Sequence, residues 1–172
     1  MIHRNISDMR RVLNPLVYQK AGWVLHMLRA EVGTEVFWTA IREYYSRYRN
    51  QNTSTGELRA VFERVSGKPL EWLFTQWLTR PGIPKLEGAW RYDAATKQVE
   101  VTVSQSQAAD PFRLNVEIGI VTTPGAQPRV ERLALNGRQA TMRFAADSPP
   151  ASVVLDPDTW LLFEAGPFGQ AR

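Results

Sequence analysis

Arg80-Pro81-Gly82-Ile83-Pro84-Lys85-Leu86 is where the chain changes its period, and its two sides read as different kinds of structure. Two prolines and a glycine within four residues end any helix, because proline lacks the amide hydrogen and fixes φ. Before this stretch the apolar residues recur at three- and four-residue spacing. After it they alternate with polar ones. The expected fold class is therefore α+β in two parts, with Pro81–Lys85 as the boundary. Residues 1–85 form a helical part, 86–165 a β-sandwich and 166–172 a short tail.

Working back from the boundary, Pro69 can open a helix at its first turn, with Leu70, Leu73, Phe74 and Trp77 inward. Ser54 with Glu57 three residues on has the form of a capping box, and Leu58, Val61, Phe62 and Val65 follow before Ser66-Gly67 stops the helix. Thr34 is the expected N-cap of the helix carrying Val36, Phe37, Ala40, Ile41, Tyr44, Tyr45 and Tyr48. The first helix, Leu16 to Val32, places Val17, Ala21, Val24, Leu25 and Leu28 on one stripe, with Gly33 as its stop.

Working forward, Val99, Val101 and Val103 alternate with Glu100, Thr102 and Ser104 as a half-buried strand should. Phe112, Leu114, Val116, Ile118 and Ile120 continue the pattern. Val130, Leu133 and Leu135 run into Asn136-Gly137, a strong hairpin signal, with Ala140, Met142 and Phe144 beyond it. Short strands at 153–155 and 160–163 complete some seven, which suggests a two-sheet sandwich of the immunoglobulin or fibronectin kind.

The composition bounds the function classes. A chain of 172 residues with 44% hydrophobic and 22% charged residues has the material for a packed core, which excludes extended disorder. No apolar run reaches the roughly 20 residues that a membrane-spanning helix needs. The basic, polar Met1–Arg11 stretch does not read as a signal peptide. With no cysteine, disulfide scaffolds, thiolate metal sites and thiol nucleophiles are excluded, and the redox compartment stays open. The net charge of +4 is uneven. Residues 1–85 carry 13 Lys and Arg against 7 Asp and Glu, whereas 86–172 carry 8 against 10, so the basicity belongs to the helical part.

No complete catalytic set is visible in the residues alone. His3 and His26 are the only histidines and stand at no metal-binding spacing, and no H-E-x-x-H, phosphate loop or nucleophile elbow occurs. His26, inside an amphipathic helix, reads as a packed or rim residue. Arg42, Tyr44, Tyr45, Arg47, Tyr48 and Arg49 have the composition of a single-strand stacking surface, but Tyr44 and Tyr48 fall on the apolar side of their helix. Core packing with an arginine rim accounts for them, so no nucleic-acid partner is expected. Trp90 and Trp160 on a sandwich could be sugar platforms, a reading that rests on aromatic content only. Trp23, Trp38, Trp72 and Trp77 sit in the helical part, where packing is the ordinary role of tryptophan.

The run Val17-Tyr18-Gln19-Lys20-Ala21-Gly22-Trp23-Val24-Leu25-His26-Met27-Leu28-Arg29 resembles one segment of the aminopeptidase N and leukotriene hydrolase family, the gluzincin zinc metallopeptidases of peptidase family M1. The likeness continues through Gly33, Phe37, Tyr45, Thr55, Leu58, Ser66-Gly67, Leu70 and Phe74. It closes on Gln76-Trp77-Leu78, Gly82, Pro84, Trp90 and Tyr92-Asp93. It covers residues 14–93 by specific strings and the sandwich by architecture. The fold it implies is the helical end of a thermolysin-like catalytic lobe followed by an immunoglobulin-like β-sandwich.

The resemblance implies that Tyr18 matches the family tyrosine whose hydroxyl stabilises the tetrahedral intermediate, while Lys20 in the same string is structural. It implies zinc in the intact parent enzyme and peptides as its substrates, with N-terminal residues removed. The zinc-binding pair, its downstream glutamate and the acidic residues that bind the substrate amino terminus would lie upstream. This chain alone is then expected to bind no zinc, to need an upstream catalytic lobe as partner and to be inactive. Two departures stand out: the small pair is Ala21-Gly22 rather than the commoner reverse, and Gln19 stands where glutamate is frequent. The alternative is a non-catalytic interaction module that kept the scaffold without the metal. Such a module would have covered or polar residues around Tyr18, where the sequence has Leu13, Leu16 and Val17.

Overall fold

The computed structural model describes residues 16–171. The chain divides between Gly82 and Ile83 into a helical unit and a β unit, an α+β architecture of four α-helices and two sheets among the described residues. No helix among those residues is long and apolar enough to cross a membrane.

In the helical unit a π-helical turn, Leu16–Lys20, runs into α1, Ala21–Val32. Gly33, at φ 90°, joins α1 directly to α2, Thr34–Tyr48. A side chain is strained at such a φ, so the glycine is both the stop of one helix and the cap of the next. Thr34 is therefore the first residue of α2 and not its cap. α3, Thr55–Ser66, opens with the expected capping box: the Ser54 hydroxyl accepts from the Glu57 amide, and the Glu57 carboxylate accepts from the Ser54 amide. It ends on Gly67 in the left-handed conformation. α4, Glu71–Thr79, starts two residues after Pro69. Leu70 is its N-cap, and the Leu70 amide donates to Glu63 Oε1 at 2.9 Å.

Leu28, Ala40, Phe62, Leu70 and Trp77 form the buried centre, and the rings of Phe37 and Phe62 meet at 5.4 Å between α2 and α3. Two stripe positions differ from expectation. Met27, not Leu25, faces inward from α1, and Leu25 is exposed. Tyr45 is exposed while Tyr44 and Tyr48 are half-buried. A stripe reader places every apolar residue near the mean direction inside. The true buried arc of α2 is narrow and centres on Phe37 and Ala40.

The β unit has seven strands: β1 Lys85–Asp93, β2 Gln98–Gln105, β3 Leu114–Val121, β4 Arg129–Leu135, β5 Gln139–Ala145, β6 Ser152–Leu155 and β7 Glu164–Gln170. One sheet has the order β5-β2-β1-β7, with β1 and β7 parallel, and the other the order β4-β3-β6. Val99, Val101 and Val103 on β2, and Val116, Ile118 and Leu133 on the second sheet, are fully buried. Both sheets thus carry a fully buried apolar face, and no helix is found in this unit among the described residues.

Asn136-Gly137 does not make a hairpin. β4 pairs with β3 and β5 with β2, so the chain turns a corner from one sheet into the other. Neither residue has the positive φ that a type I′ turn requires. Gln105 holds this corner instead: its amide donates to the Arg138 carbonyl at 2.8 Å and its side chain to the Gly137 carbonyl at 3.0 Å. The last strand is Glu164–Gln170 rather than 160–163, and it takes in residues 166–170 of the expected tail. It is a parallel edge strand with little apolar alternation, so the period-2 signal was absent there. Residues 160–161 are drawn into a loop, where the Asp156 carboxylate accepts from the Trp160 and Leu161 amides.

Among the glycines of the unit, Gly88 is the most closely approached. A Cβ there would stand 2.1 Å from the Thr102 carbonyl oxygen, beside the irregularity in β1–β7 pairing between Leu86 and Gly88. On the same sheet Glu100 lies between Arg91 and Arg143 in register, accepting from each at 2.7 and 2.8 Å. These two bonds hold its carboxyl below the usual carboxylate range.

Gly88→Ala should destabilise the β unit by about 1–3 kcal/mol, the usual cost of overpacking, because backbone rather than a side chain must move. Thermal unfolding followed by tryptophan fluorescence measures it, and an unchanged midpoint would refute the close approach. Because Glu100's folded pKa is depressed, its stabilisation is present above the ordinary carboxylate pKa and is lost as pH falls through the lowered value. Glu100→Gln should therefore be less stable than wild type at neutral pH and converge with it in acid. Denaturant titrations across that range would contradict this if the gap stayed constant.

Candidate functional site

The π-helical turn presents Tyr18. One residue more per turn widens the backbone locally, a distortion that recurs at functional sites. Tyr18 is 63% exposed and Gln19 is exposed, while Lys20, two residues on, is 7% exposed. The Lys20 ammonium donates to the Gly82 carbonyl at 3.0 Å and the Arg80 carbonyl at 3.3 Å. Burial lowers its pKa. The turn thus carries one outward hydroxyl and one inward cation.

Tyr18, Gly22 and Leu25 follow at spacings of four and three, which puts them on one face of the helix, and all three are exposed. A Cβ on Gly22 would meet nothing within 4 Å in this chain, so the reversed Ala21-Gly22 order creates no internal clash. His26 is half-buried and meets Trp23 edge to face at 5.4 Å, the packed position the sequence suggested. His3 and Leu13 lie outside the described residues, as do the side chains of Leu16 and Val17.

Among the described residues no three His, Asp or Glu side chains gather in a group that could hold a metal ion. The carboxylates that are drawn into contacts serve the fold: Glu63 the start of α4, Asp156 its own loop, Glu100 the arginine pair.

The other sequence candidates resolve by burial. Trp90 is 6% exposed, so it is a core residue of β1 and no sugar platform. The Tyr44 and Tyr48 rings pair at 5.3 Å, and the Tyr44 hydroxyl bonds to that of Thr53. That leaves Trp38 and Tyr45 as the exposed aromatics of α2. Trp38 was expected to pack, and no local signal separates it from the neighbouring Phe37, which does. A separate cleft of about 220 Å³ lies between the first turn of α3 and the end of α4, floored by Phe74 and Leu78 with Arg59 on its wall.

A description of the peptidase family M1 domain matches residues 2–77. Aminopeptidase M1-C of Oryza sativa subsp. japonica is 29% identical over 117 residues, which are 66% of this chain and 13% of that protein. Aminopeptidase N of Streptomyces lividans is 31% identical over 113 residues, 64% of this chain and 13% of that protein. The chain therefore spans about an eighth of the length of these relatives. The crystal structure of Legionella pneumophila aminopeptidase A in complex with aspartic acid matches 94% of this chain and 19% of its own, at a TM-score of 0.81 and 17% identity. At that identity the match speaks for the fold.

Proposed function

We propose, for a chain whose residues 2–77 belong to peptidase family M1, that it is the closing part of the catalytic lobe of a zinc aminopeptidase, followed by an immunoglobulin-like sandwich. The whole enzyme removes N-terminal residues from peptides. The observation that carries this reading is Tyr18: a hydroxyl set outward on a distorted turn, next to an inward lysine, in the string that resembles the family's.

The chemistry assigned to this chain is limited to what its residues can do. A tetrahedral intermediate concentrates negative charge on the former carbonyl oxygen, and a preplaced hydroxyl donor stabilises that charge more than the ground-state carbonyl. Tyr18 is that donor, and it neither attacks nor takes up a proton in this step. Zinc in the parent would supply the activated water. The steps assigned to this chain are those of its own residues, and none runs through the metal. The exposed Tyr18–Gly22–Leu25 face supports the fragment reading over an adapted interaction module, since a module would have covered or polar residues there.

Two outcomes are expected. The purified chain shows no aminopeptidase activity on amino-acid anilides and holds close to no zinc by elemental mass spectrometry after dialysis against the metal. Chelator-sensitive activity, or one tightly held zinc per chain, would overturn the assignment. In an active assembly of this chain with its upstream lobe, Tyr18→Phe should lower kcat about 10²–10³-fold, the cost of losing one oxyanion donor. A kcat within a factor of about two of wild type would remove Tyr18 from the chemistry, since that corresponds to less than 0.5 kcal/mol of barrier.

A further inference from the structure

The Lys20 side chain has no counterpart among the contacts a helix start ordinarily makes. A buried ammonium is costly unless its donors are satisfied, and carbonyl oxygens are the acceptors it finds here. Both belong to backbone about sixty residues away in sequence, Arg80 and Gly82. Gly82 is the last residue of the helical unit and sits at φ 76°, a left-handed conformation that L side chains rarely adopt. Arg80 is the C-cap of α4, in an extended conformation. The two carbonyls therefore converge on one point only while the backbone leaving α4 keeps this path.

The other end of the link is the π-helical turn. Leu16–Lys20 has no acidic residue in its first turn, and no side chain caps α1, whose N-cap is Lys20 itself. A π turn is intrinsically less favourable than an α turn, so it persists where tertiary contacts hold it. Lys20 closes that turn, and Tyr18 is its central residue.

We infer that Lys20 is the positioning residue for Tyr18: its ammonium, bound to the Arg80 and Gly82 carbonyls, holds the π-helical turn that aims the tyrosine outward. The inference rests on the reading of Tyr18 as the oxyanion donor, and it makes the Arg80–Gly82 segment part of the apparatus that orients the hydroxyl. Lys20 touches no reacting atom in this scheme and acts only through the turn.

The test uses the full chain in three forms: wild type, Lys20→Met, which keeps the apolar stem without the donors, and Lys20→Arg, which restores them. Amide hydrogen exchange read by NMR should be about ten- to a hundredfold faster for residues 18–22 in Lys20→Met, the effect of losing a charged hydrogen bond on local opening. The ring resonance of Tyr18, assigned by its disappearance in Tyr18→Phe, should shift or broaden. The Tyr44 ring should not change, and Lys20→Arg should return both signals towards wild type. A structural role spread through the helical unit would move both tyrosines and the α2 and α3 amides together.

Gly82→Ala is the second variant, for the case that Lys20→Met fails to fold. Its Cβ meets nothing within 4 Å, so it disturbs only the strained backbone that carries the acceptor. It should speed exchange at residues 18–22 while leaving α2 and α3 unchanged. Unchanged exchange and an unchanged Tyr18 ring in the folded variants overturn the inference. Failure of the catalytic reading shows itself elsewhere, as an unaffected kcat for Tyr18→Phe in the active assembly, and leaves the exchange result standing.

Discussion

A buried ammonium is the constraint around which the helical unit closes. Lys20 sits at the join of a π-helical turn and α1, and among the described residues its ammonium donates to two backbone carbonyls. Those carbonyls become available because Arg80-Pro81-Gly82 stops α4 and turns the chain back through a left-handed glycine. The first described turn of the unit and its last residues are thereby tied together. The outward tyrosine is a by-product of that closure: once residue 20 points inward on a widened turn, residue 18 faces out.

The β unit solves the same problem with an uncharged side chain. Gln105 is 3% exposed and uses both ends of its amide. Its oxygen accepts from the Phe112 amide at 2.8 Å, and its nitrogen donates to the Phe112 carbonyl at 2.7 Å and the Gly137 carbonyl at 3.0 Å. One side chain thus fixes the entry to β3 and the corner between β4 and β5, pinning two sheets that share no strand. Buried polar groups of this kind contribute specificity when every donor and acceptor is met, and they would be costly if one were not.

The helical unit carries the larger exposed apolar residues. Tyr18, Leu25, Trp38 and Tyr45 all lie exposed in the unit that carries the family match. The chain spans only about an eighth of its aminopeptidase relatives. Among its described residues the β unit exposes Val130, Met142 and Val154 as large apolar side chains, and these are smaller or more flexible.

The sequence by itself determined the elements and their order. Proline and glycine at 81–84 separate the two periods, the Ser54–Glu57 box opens α3, and Gly67 ends it, because each of these acts through its own backbone and its nearest neighbours. Alternation in β2 and β3 was legible for the same reason. The string around Tyr18 carried the resemblance to the family. Only the tertiary structure decided the rest. Whether Asn136-Gly137 closes a hairpin or turns a corner depends on which strands β4 and β5 find as partners, and the local pattern is identical in both cases. The strand at 164–170 exists through parallel pairing with β1, a contact about eighty residues away in sequence. Trp38 outside and Phe37 inside, Leu25 outside and Met27 inside, follow from the width of the buried arc, which neighbouring helices set. The contact that closes the widened turn at Tyr18 belongs to this second group: Lys20 finds its acceptors about sixty residues on, which no local reading of the string contains.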